Sequence, residues 1–177
     1  MKNYRKLDSV VLALLAAGYL MIPTALKAVG TPDSAEVTKL LTDTKAAAVQ
    51  LKIDSGQMES FARSKASWQS YARKLETIRA HINNAGQLVT KLKAAESTGS
   101  PWQQTTIKRV ESLLQEMADN LTATIKHLSD NQNRVRFPEF TNYVKSNYAL
   151  TNDLEALLRA SVDYGTDKAN FERLSSE

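Results

Sequence analysis

Apolar residues recur every three or four positions from residue 37 almost to the C-terminus. This spacing places side chains on one face of an α-helix, and no stretch shows the alternation of apolar and polar residues that marks a half-buried strand. The sequence therefore predicts an all-α protein. The expected architecture is an antiparallel up-down bundle of three to four long amphipathic helices with coiled-coil-like heptad seams.

The first seam keeps one register across a segment that is typical of a turn. Asp54 is a suitable helix cap and Gly56 is a flexible residue. A tight turn between antiparallel helices has no reason to preserve register, so the pattern favours one long or bent helix over residues 33–95. The alternative is two helices joined at Ser55–Gly56. The predicted seam positions are Val37, Leu40, Thr44, Ala47, Leu51, Met58, Phe61, Lys65, Trp68, Tyr71, Leu75, Ile78, Ile82, Ala85, Val89 and Leu92.

The start of this first helix has two candidate signals. Thr31 is a suitable cap, and Pro32 fits the first helical position because its missing N–H would have no partner there. Asp33 with Glu36 offers an alternative that resembles a capping box. Both signals predict a helix that begins within a few residues of position 33.

A clear break precedes the second seam. Gly99 suits a helix end, Ser100 suits the next cap, Pro101 fits the first helical position and Gln103 completes a capping box. A helix over residues 101–133 is therefore predicted. Its expected core positions are Ile107, Val110, Leu114, Met117, Leu121, Thr124 and Leu128.

The third seam begins after Phe137–Pro138 and predicts a helix over residues 138–173. With residues 57–95 and 101–133 this gives three segments of similar length. Residues 33–54 would then fold back as a shorter fourth helix or extend the first helix beyond the bundle. The expected positions of the third seam are Phe140, Tyr143, Asn147, Leu150, Leu154, Leu157, Ser161, Tyr164, Lys168 and Phe171.

Residues 1–28 have the layout of a secretory signal peptide. They comprise a basic head, an apolar middle, a helix breaker at Pro23 and a small residue, Ala28, at the predicted cleavage site. An uncleaved signal anchor is the alternative, because roughly 20 apolar residues suffice to span a bilayer. The predicted organisation is a signal peptide over residues 1–28 and a single helical bundle domain over residues 29–177. The protein is then periplasmic or secreted, or anchored in the inner membrane if the signal is retained.

Charge and cysteine content narrow the class of partner. Four basic residues and one acid give residues 1–28 a net charge of +3, which leaves +1 of the chain's +4 for residues 29–177. A nearly neutral domain does not predict nucleic-acid binding. The chain has no cysteine, which rules out disulfides and cysteine-ligated metals and fits a bacterial envelope protein. Membrane contact is expected only through the N-terminal segment, if it is uncleaved.

One segment carries an excess of positive charge. Residues 57–95 have seven basic and two acidic residues. The simpler interpretation is a basic helix packed against mildly acidic neighbours. The functional alternative is a basic face that contacts anionic lipid or cell-wall polymer.

The residues of the chain that could bind a metal, a cofactor or a substrate predict no catalytic, cofactor-binding or metal site. The two histidines, His81 and His127, would lie roughly 18 Å apart in height in an antiparallel hairpin. Neither belongs to a Glu-x-x-His pair, and the chain has no glycine-rich phosphate loop. Asp163 and Asp167 lie one helical turn apart and are expected to form an ordinary solvated face. The sequence therefore predicts a protein that is not an enzyme and that needs no cofactor.

The predicted function is a non-enzymatic envelope protein that acts through protein contacts in a structural, scaffolding or adaptor role. Residues 33–54 are the expected surface for a protein partner or for self-association, since a protruding apolar stripe must be buried somewhere. The layout resembles the periplasmic helical bundles of bacterial chemoreceptors, but no motif is shared and no second apolar segment follows. That resemblance implies a ligand-binding or sensor domain as the alternative.

Three structural features would separate these functions. A polar slot lined by Lys65, Arg79 or Asn147 would favour ligand binding. A continuous dry core would favour the structural role. A long exposed apolar patch would favour a third function, an exported holdase-type chaperone.

Overall fold

The computed structural model describes residues 31–64, 66–132 and 138–177, so the predicted signal segment, residues 1–28, lies outside the described residues. The described residues form α1 (Ala35–Ala62), α2 (Trp68–Ala95), a short 3-10 helix (Glu96–Thr98), α3 (Pro101–Asp130) and α4 (Pro138–Leu174). Among these helices, none combines the length and the apolar character needed to cross a membrane.

The four helices pack in a ring, in which α1 and α3 each lie between α2 and α4. The starts of α1 and α3 meet at one end, because the backbone N–H of Ser34 donates to Oε1 of Gln103 at 2.9 Å. The last turns of α4 reach the same end, where Lys168 pairs with Asp33 at 2.9 Å. We call this the Asp33 end. The chain therefore runs up, down, up and down, and the predicted all-α antiparallel bundle is confirmed with four helices.

α1 ends at Ala62 and α2 begins at Trp68 as a separate helix, so the predicted single helix over residues 33–95 is wrong. The alternative turn at Ser55–Gly56 is also wrong, because both residues lie inside α1. Gly56 remains helical and provides room for Tyr148 of α4, since a Cβ atom at position 56 would lie 3.2 Å from the Tyr148 ring. From Ala35 onward, the segment over residues 33–54 thus belongs to a full-length helix rather than to a short or protruding one.

Local hydrogen bonds mark the break between α1 and α2. The side chain of Ser67 caps α2 by accepting from the backbone N–H of Ser70 at 3.3 Å. The hydroxyl of Tyr71 donates to the backbone carbonyl of Ser64 at 2.8 Å, which ties the first turn of α2 to the end of the preceding segment. The residues that make these two contacts are not Gly or Pro, which are the residues that usually mark a turn in a sequence.

The first helix begins later than its sequence signals predict. Its cap is Ser34, whose Oγ accepts from the N–H of Val37 at 3.4 Å, and Thr31 and Asp33 lie outside the helix. Ser34 takes the capping position because Gln103 also holds its backbone, accepting from the N–H and donating to the carbonyl. The contact comes from α3, so the local pattern of residues 31–36 could not indicate it.

The start of α3 follows the prediction. Ser100 precedes the helix, Pro101 is its first residue, and the N–H of Ser100 donates to Oε1 of Gln103 at 3.0 Å. Gln103 is fully buried, so a single side-chain amide holds both helix starts at the Asp33 end. This shared cap fixes the relative height of α1 and α3.

The predicted seam of α3 is confirmed at every position, and that of α2 from Tyr71 to Leu92. In α1 and α4 several predicted positions are displaced by one residue. The observed core of α1 uses Leu41 and Ala48, where Leu40 and Ala47 were expected. The observed core of α4 comprises Phe140, Val144, Asn147, Thr151, Leu154, Glu155, Leu158, Ser161 and Gly165.

At the end of α4 this displacement follows from the shape of a neighbouring side chain. Gly165 faces inward because a ring from α3 needs the room: a Cβ atom at Gly165 would lie 3.1 Å from the ring of Trp102. The sequence pattern favours Tyr164, the larger residue of this adjacent pair, as the core position. Tyr164 is therefore half exposed, at 53%, while Gly165 is buried.

Candidate functional site

The two histidines lie on different helix pairs. His81 Nδ1 is 2.5 Å from Oδ2 of Asp54, which joins α2 to α1. His127 packs against Tyr143 of α4, with ring centroids 5.6 Å apart. Over residues 31–64, 66–132 and 138–177, no group of three or more histidine or carboxylate side chains is close enough to hold a metal ion. The structure thus assigns both histidines to contacts between helices.

The residues expected to line a polar slot do not converge. Lys65 lies outside the described residues, and Arg79 is exposed beside Glu76. Asn147 is buried and donates to Oγ1 of Thr124 at 3.0 Å, while its own Oδ1 has no partner among the described residues. Asn147 therefore forms an isolated polar contact within an otherwise mainly apolar core.

A polar cluster closes the Asp33 end. Nε1 of Trp102 donates to the Asp33 carboxylate at 2.7 Å, and Nζ of Lys168 lies 2.9 Å from the same oxygen. Burial by itself raises the pKa of Asp33, but contacts with Ser100, Lys168 and Trp102 outweigh it and hold the pKa below its ordinary value. The hydrogen bond with Asp33 in turn raises the pKa of Lys168. The cluster fastens the segment before α1 onto α3 and α4.

A second buried carboxylate links α1 and α4. Glu155 is 7% exposed, accepts a 3.0 Å hydrogen bond from Nζ of Lys52, and lies 3.7 Å from Arg159. The hydrogen bond with Lys52 outweighs burial and lowers the pKa of Glu155. This ion pair supports helix packing, because both partners are used within the bundle.

Some basic side chains of α2 also form contacts within the bundle. Lys93 pairs with Glu111 of α3, and Arg79 lies 3.5 Å from Glu76 on its own helix. The amine of Lys74 lies 5.3 Å from the centre of the Phe61 ring of α1. These contacts fit a basic helix that packs against its neighbours.

An open groove of about 480 Å³ runs between α3 and α4 near the Asp33 end. Trp102 and Tyr164 form one side of it, with their rings in an edge-to-face contact at 5.2 Å. Leu157 adds apolar surface and Arg109 adds a cation. A groove of this size and lining suits an apolar side chain that arrives from outside the bundle.

The surface of this groove continues onto the last turns of α4. Tyr164, Phe171 and Leu174 are 53%, 72% and 62% exposed. Leu157, Tyr164 and Phe171 are spaced by seven residues and so lie on one face of the helix. We call these three residues the outer stripe. Sequence reasoning missed it because the same three residues were assigned to the core, although Leu158 and Gly165, directly after Leu157 and Tyr164, offered a second register for the core.

The expected partner segment, residues 33–54, turns its apolar face inward. Val37, Leu41 and Leu51 are all at most 1% exposed, so the face that was expected to need a partner is buried within the chain. What remains outside is a pair of side chains one helical turn apart, Val49 at 39% and Ile53 at 47%. This α1 pair is a smaller apolar surface than the outer stripe.

A second groove of about 350 Å³ lies between α3 and α4 toward the opposite end of the bundle. Its lining is polar, and Nε2 of His127 is buried there without a partner among the described residues. Asn120 donates to the backbone carbonyl of Tyr143 at its edge. The residues that line the groove are Asn120, His127, Glu139, Asn142, Tyr143 and Ser146.

Comparison of the chain with protein-family models, with curated proteins and with solved structures gave no match.

Proposed function

We propose that this chain is an exported, non-enzymatic helical-bundle protein that acts through protein contacts in the bacterial envelope, in a structural, scaffolding or adaptor role. The observation that carries the contact role is the outer stripe, Leu157, Tyr164 and Phe171. It is an apolar helix face outside a bundle whose core is already filled by other residues. Apolar faces that are left exposed on soluble domains often mark sites of protein contact.

Export is proposed from the sequence of residues 1–28, with its basic head, apolar middle and small residue at Ala28. Cleavage there releases a periplasmic or secreted domain, and retention anchors it in the inner membrane. In both cases the bundle functions outside the cytoplasm.

The export experiment uses the full chain with a C-terminal tag in a bacterial host. External protease should digest the tagged chain in spheroplasts, and the intact mass should show whether the chain starts at Val29. The double variant Leu14→Arg, Leu15→Arg should stay protected, because charges in the apolar middle abolish a signal segment. The matched control Ala46→Arg, on the exposed side of α1, should behave as the unaltered chain. Protection of the unaltered chain would overturn the export proposal.

The contact experiment places the photoreactive residue p-benzoylphenylalanine at position 171 of the full chain, with Ser129 as the exposed control position. Illumination should join position 171 to protein, and position 129 should give little product. Equal and low yields at both positions would contradict a contact role for the outer stripe.

Ligand binding is the second candidate function, and the polar groove beside His127 is the observation that favours it. A small polar ligand in that groove should raise the melting temperature of the chain. The rise should disappear in Asn142→Ala, because Asn142 is an exposed residue of the lining. No rise with a panel of small polar metabolites would count against this second function.

A further inference from the structure

The outer stripe has the spacing of a helix-pairing surface. Leu157, Tyr164 and Phe171 follow one another at intervals of seven residues, which is the repeat that keeps one helix face against a partner helix. The stripe is half-buried at Leu157 and becomes steadily more exposed toward the C-terminus, with Tyr164 at 53% and Phe171 at 72%. The surface therefore widens where α4 passes beyond the other helices.

The overhang of α4 explains this change in exposure. Lys168 of α4 still pairs with Asp33, which lies just before α1. All residues from 169 to 174 are exposed. Phe171 and Leu174 thus lie on a helical extension that no other described helix covers.

Charge distinguishes the two sides of the surface. Residues 163–177 carry four acidic and two basic side chains, so the end of α4 is acidic. The wall of the groove that belongs to α3 is basic at this level through the exposed Arg109, whereas Lys108 does not line the groove and lies 3.5 Å from Glu96. Arg109 lines the groove and makes no ion pair with another described residue. An acidic helix end is the complement of this wall, whereas an anionic lipid surface would be repelled by the end of α4.

We propose that the outer stripe pairs antiparallel with the outer stripe of a second copy of this chain, with Tyr164 near the two-fold axis. In this arrangement Leu157 of each copy faces Phe171 of the other, because the two residues are equally distant from Tyr164 along the helix. The acidic end of each α4 then lies beside Arg109 of the other copy. The inference deepens the proposed function, on which it rests, by naming the protein that the stripe contacts.

The chain contains no cysteine, so single thiols can be introduced one position at a time. The full chain is expressed in a bacterial host, and cell fractions are oxidised with copper phenanthroline and run on non-reducing gels. Tyr164→Cys should give about tenfold more disulfide-linked dimer than the control Ile53→Cys, because pairing raises the effective concentration of the thiols. Ile53 is a good control, since it is exposed on α1 within residues 33–54.

The antiparallel register has its own test. The double variant Leu157→Cys, Phe171→Cys should form linked dimers, whereas each single variant alone should not, since each thiol faces the other position. The two positions are roughly 21 Å apart along one helix, which excludes a disulfide within a chain. Mixing the two single variants before oxidation should restore the linked product.

Four outcomes would overturn the proposal. They are equal dimer yields from positions 53 and 164, dimers from Leu157→Cys alone, linkage of position 164 to a different protein, and no linked product from position 164. None of them bears on export, and linkage to a different protein would leave the contact role standing while removing the second copy. Protection of the unaltered chain in the protease experiment would remove the export proposal and leave the pairing intact.

Discussion

Trp102 donates a 2.7 Å hydrogen bond through its indole N–H to the carboxylate of Asp33, which lies two residues before α1. This bond fixes the indole ring on α3, and the ring in turn lies against Gly165 of α4. One side chain therefore connects the start of the first helix to the last core position of the fourth. The stability of the Asp33 end depends on this connection.

The first prediction compares two glycines inside helices. Gly86→Ala should raise the free energy of unfolding by about 0.8 kcal/mol, because a Cβ atom there meets no neighbour and Ala is the better helix former. Gly165→Ala should lower it, because its Cβ atom would lie 3.1 Å from a Trp102 ring that is held in place. Urea unfolding followed by circular dichroism measures both. An equal gain from the two substitutions would show that the indole ring moves freely.

The second prediction concerns pH. Asp33→Asn should lower the free energy of unfolding by about 1 kcal/mol at pH 7, since it weakens charge-assisted bonds with Lys168 and Trp102. The carboxylate has a lowered pKa in the folded state, so its stabilisation is complete above the ordinary value of 3.8 and disappears as the pH falls through the lowered pKa. The difference between the two proteins in urea titrations should therefore shrink toward pH 2. A difference that stays constant down to that pH would contradict the assignment.

The third prediction separates a buried ion pair from an exposed one. Lys52→Met should lower the free energy of unfolding by about 1 kcal/mol, because it leaves the buried Glu155 with only the more distant Arg159. Lys39→Met should leave stability unchanged, since Lys39 and Asp43 form an exposed pair one turn apart on α1. Thermal and urea unfolding measure both variants.

The pH dependence of this pair provides the control. The lowered pKa of Glu155 means that the stabilisation is present above the ordinary value of 4.5 and is lost as the pH falls below it. The effect of Lys52→Met should accordingly vanish in acid. Equal effects of Lys52→Met and Lys39→Met at pH 7 would show that burial of Glu155 does not strengthen the pair.

The fourth prediction concerns the polar contact in the core. Asn147→Leu should raise the free energy of unfolding by about 1 kcal/mol, because Oδ1 of Asn147 is buried without a partner among the described residues. Thr124→Val should have the opposite sign, since it removes the acceptor for Nδ2 of Asn147 and leaves the amide in place. Loss of stability in both variants would show that Oδ1 is satisfied in solution.

Much of the fold could be predicted from the periodicity of the chain. The seams of α2 and α3 are regular because large apolar residues occupy most of the core positions, and Ser100 with Pro101 marks the start of α3 locally. The break between α1 and α2 could not be predicted, since its described hydrogen bonds involve Ser67 and Tyr71 rather than Gly or Pro.

The outer stripe was missed because the pattern that predicts the core also assigns its three residues to the core. Near the end of α4 a large residue and a small one stand side by side at Tyr164 and Gly165, and hydrophobicity alone selects the large one. The choice is made by Trp102 on another helix, whose ring needs the space over Gly165. A heptad that can be drawn in two adjacent registers is therefore a sequence signal for a helix with both an inner and an outer face.

The most direct test of the central claim is the light-scattering mass of residues 29–177, which include every residue of the closed bundle. The unaltered chain and Ile53→Glu should both have twice the mass of one chain, and Phe171→Glu should have the mass of one. Phe171 is 72% exposed, so the charge does not disturb the core. The same mass for all three proteins would contradict the pairing of two copies through the outer stripe of α4.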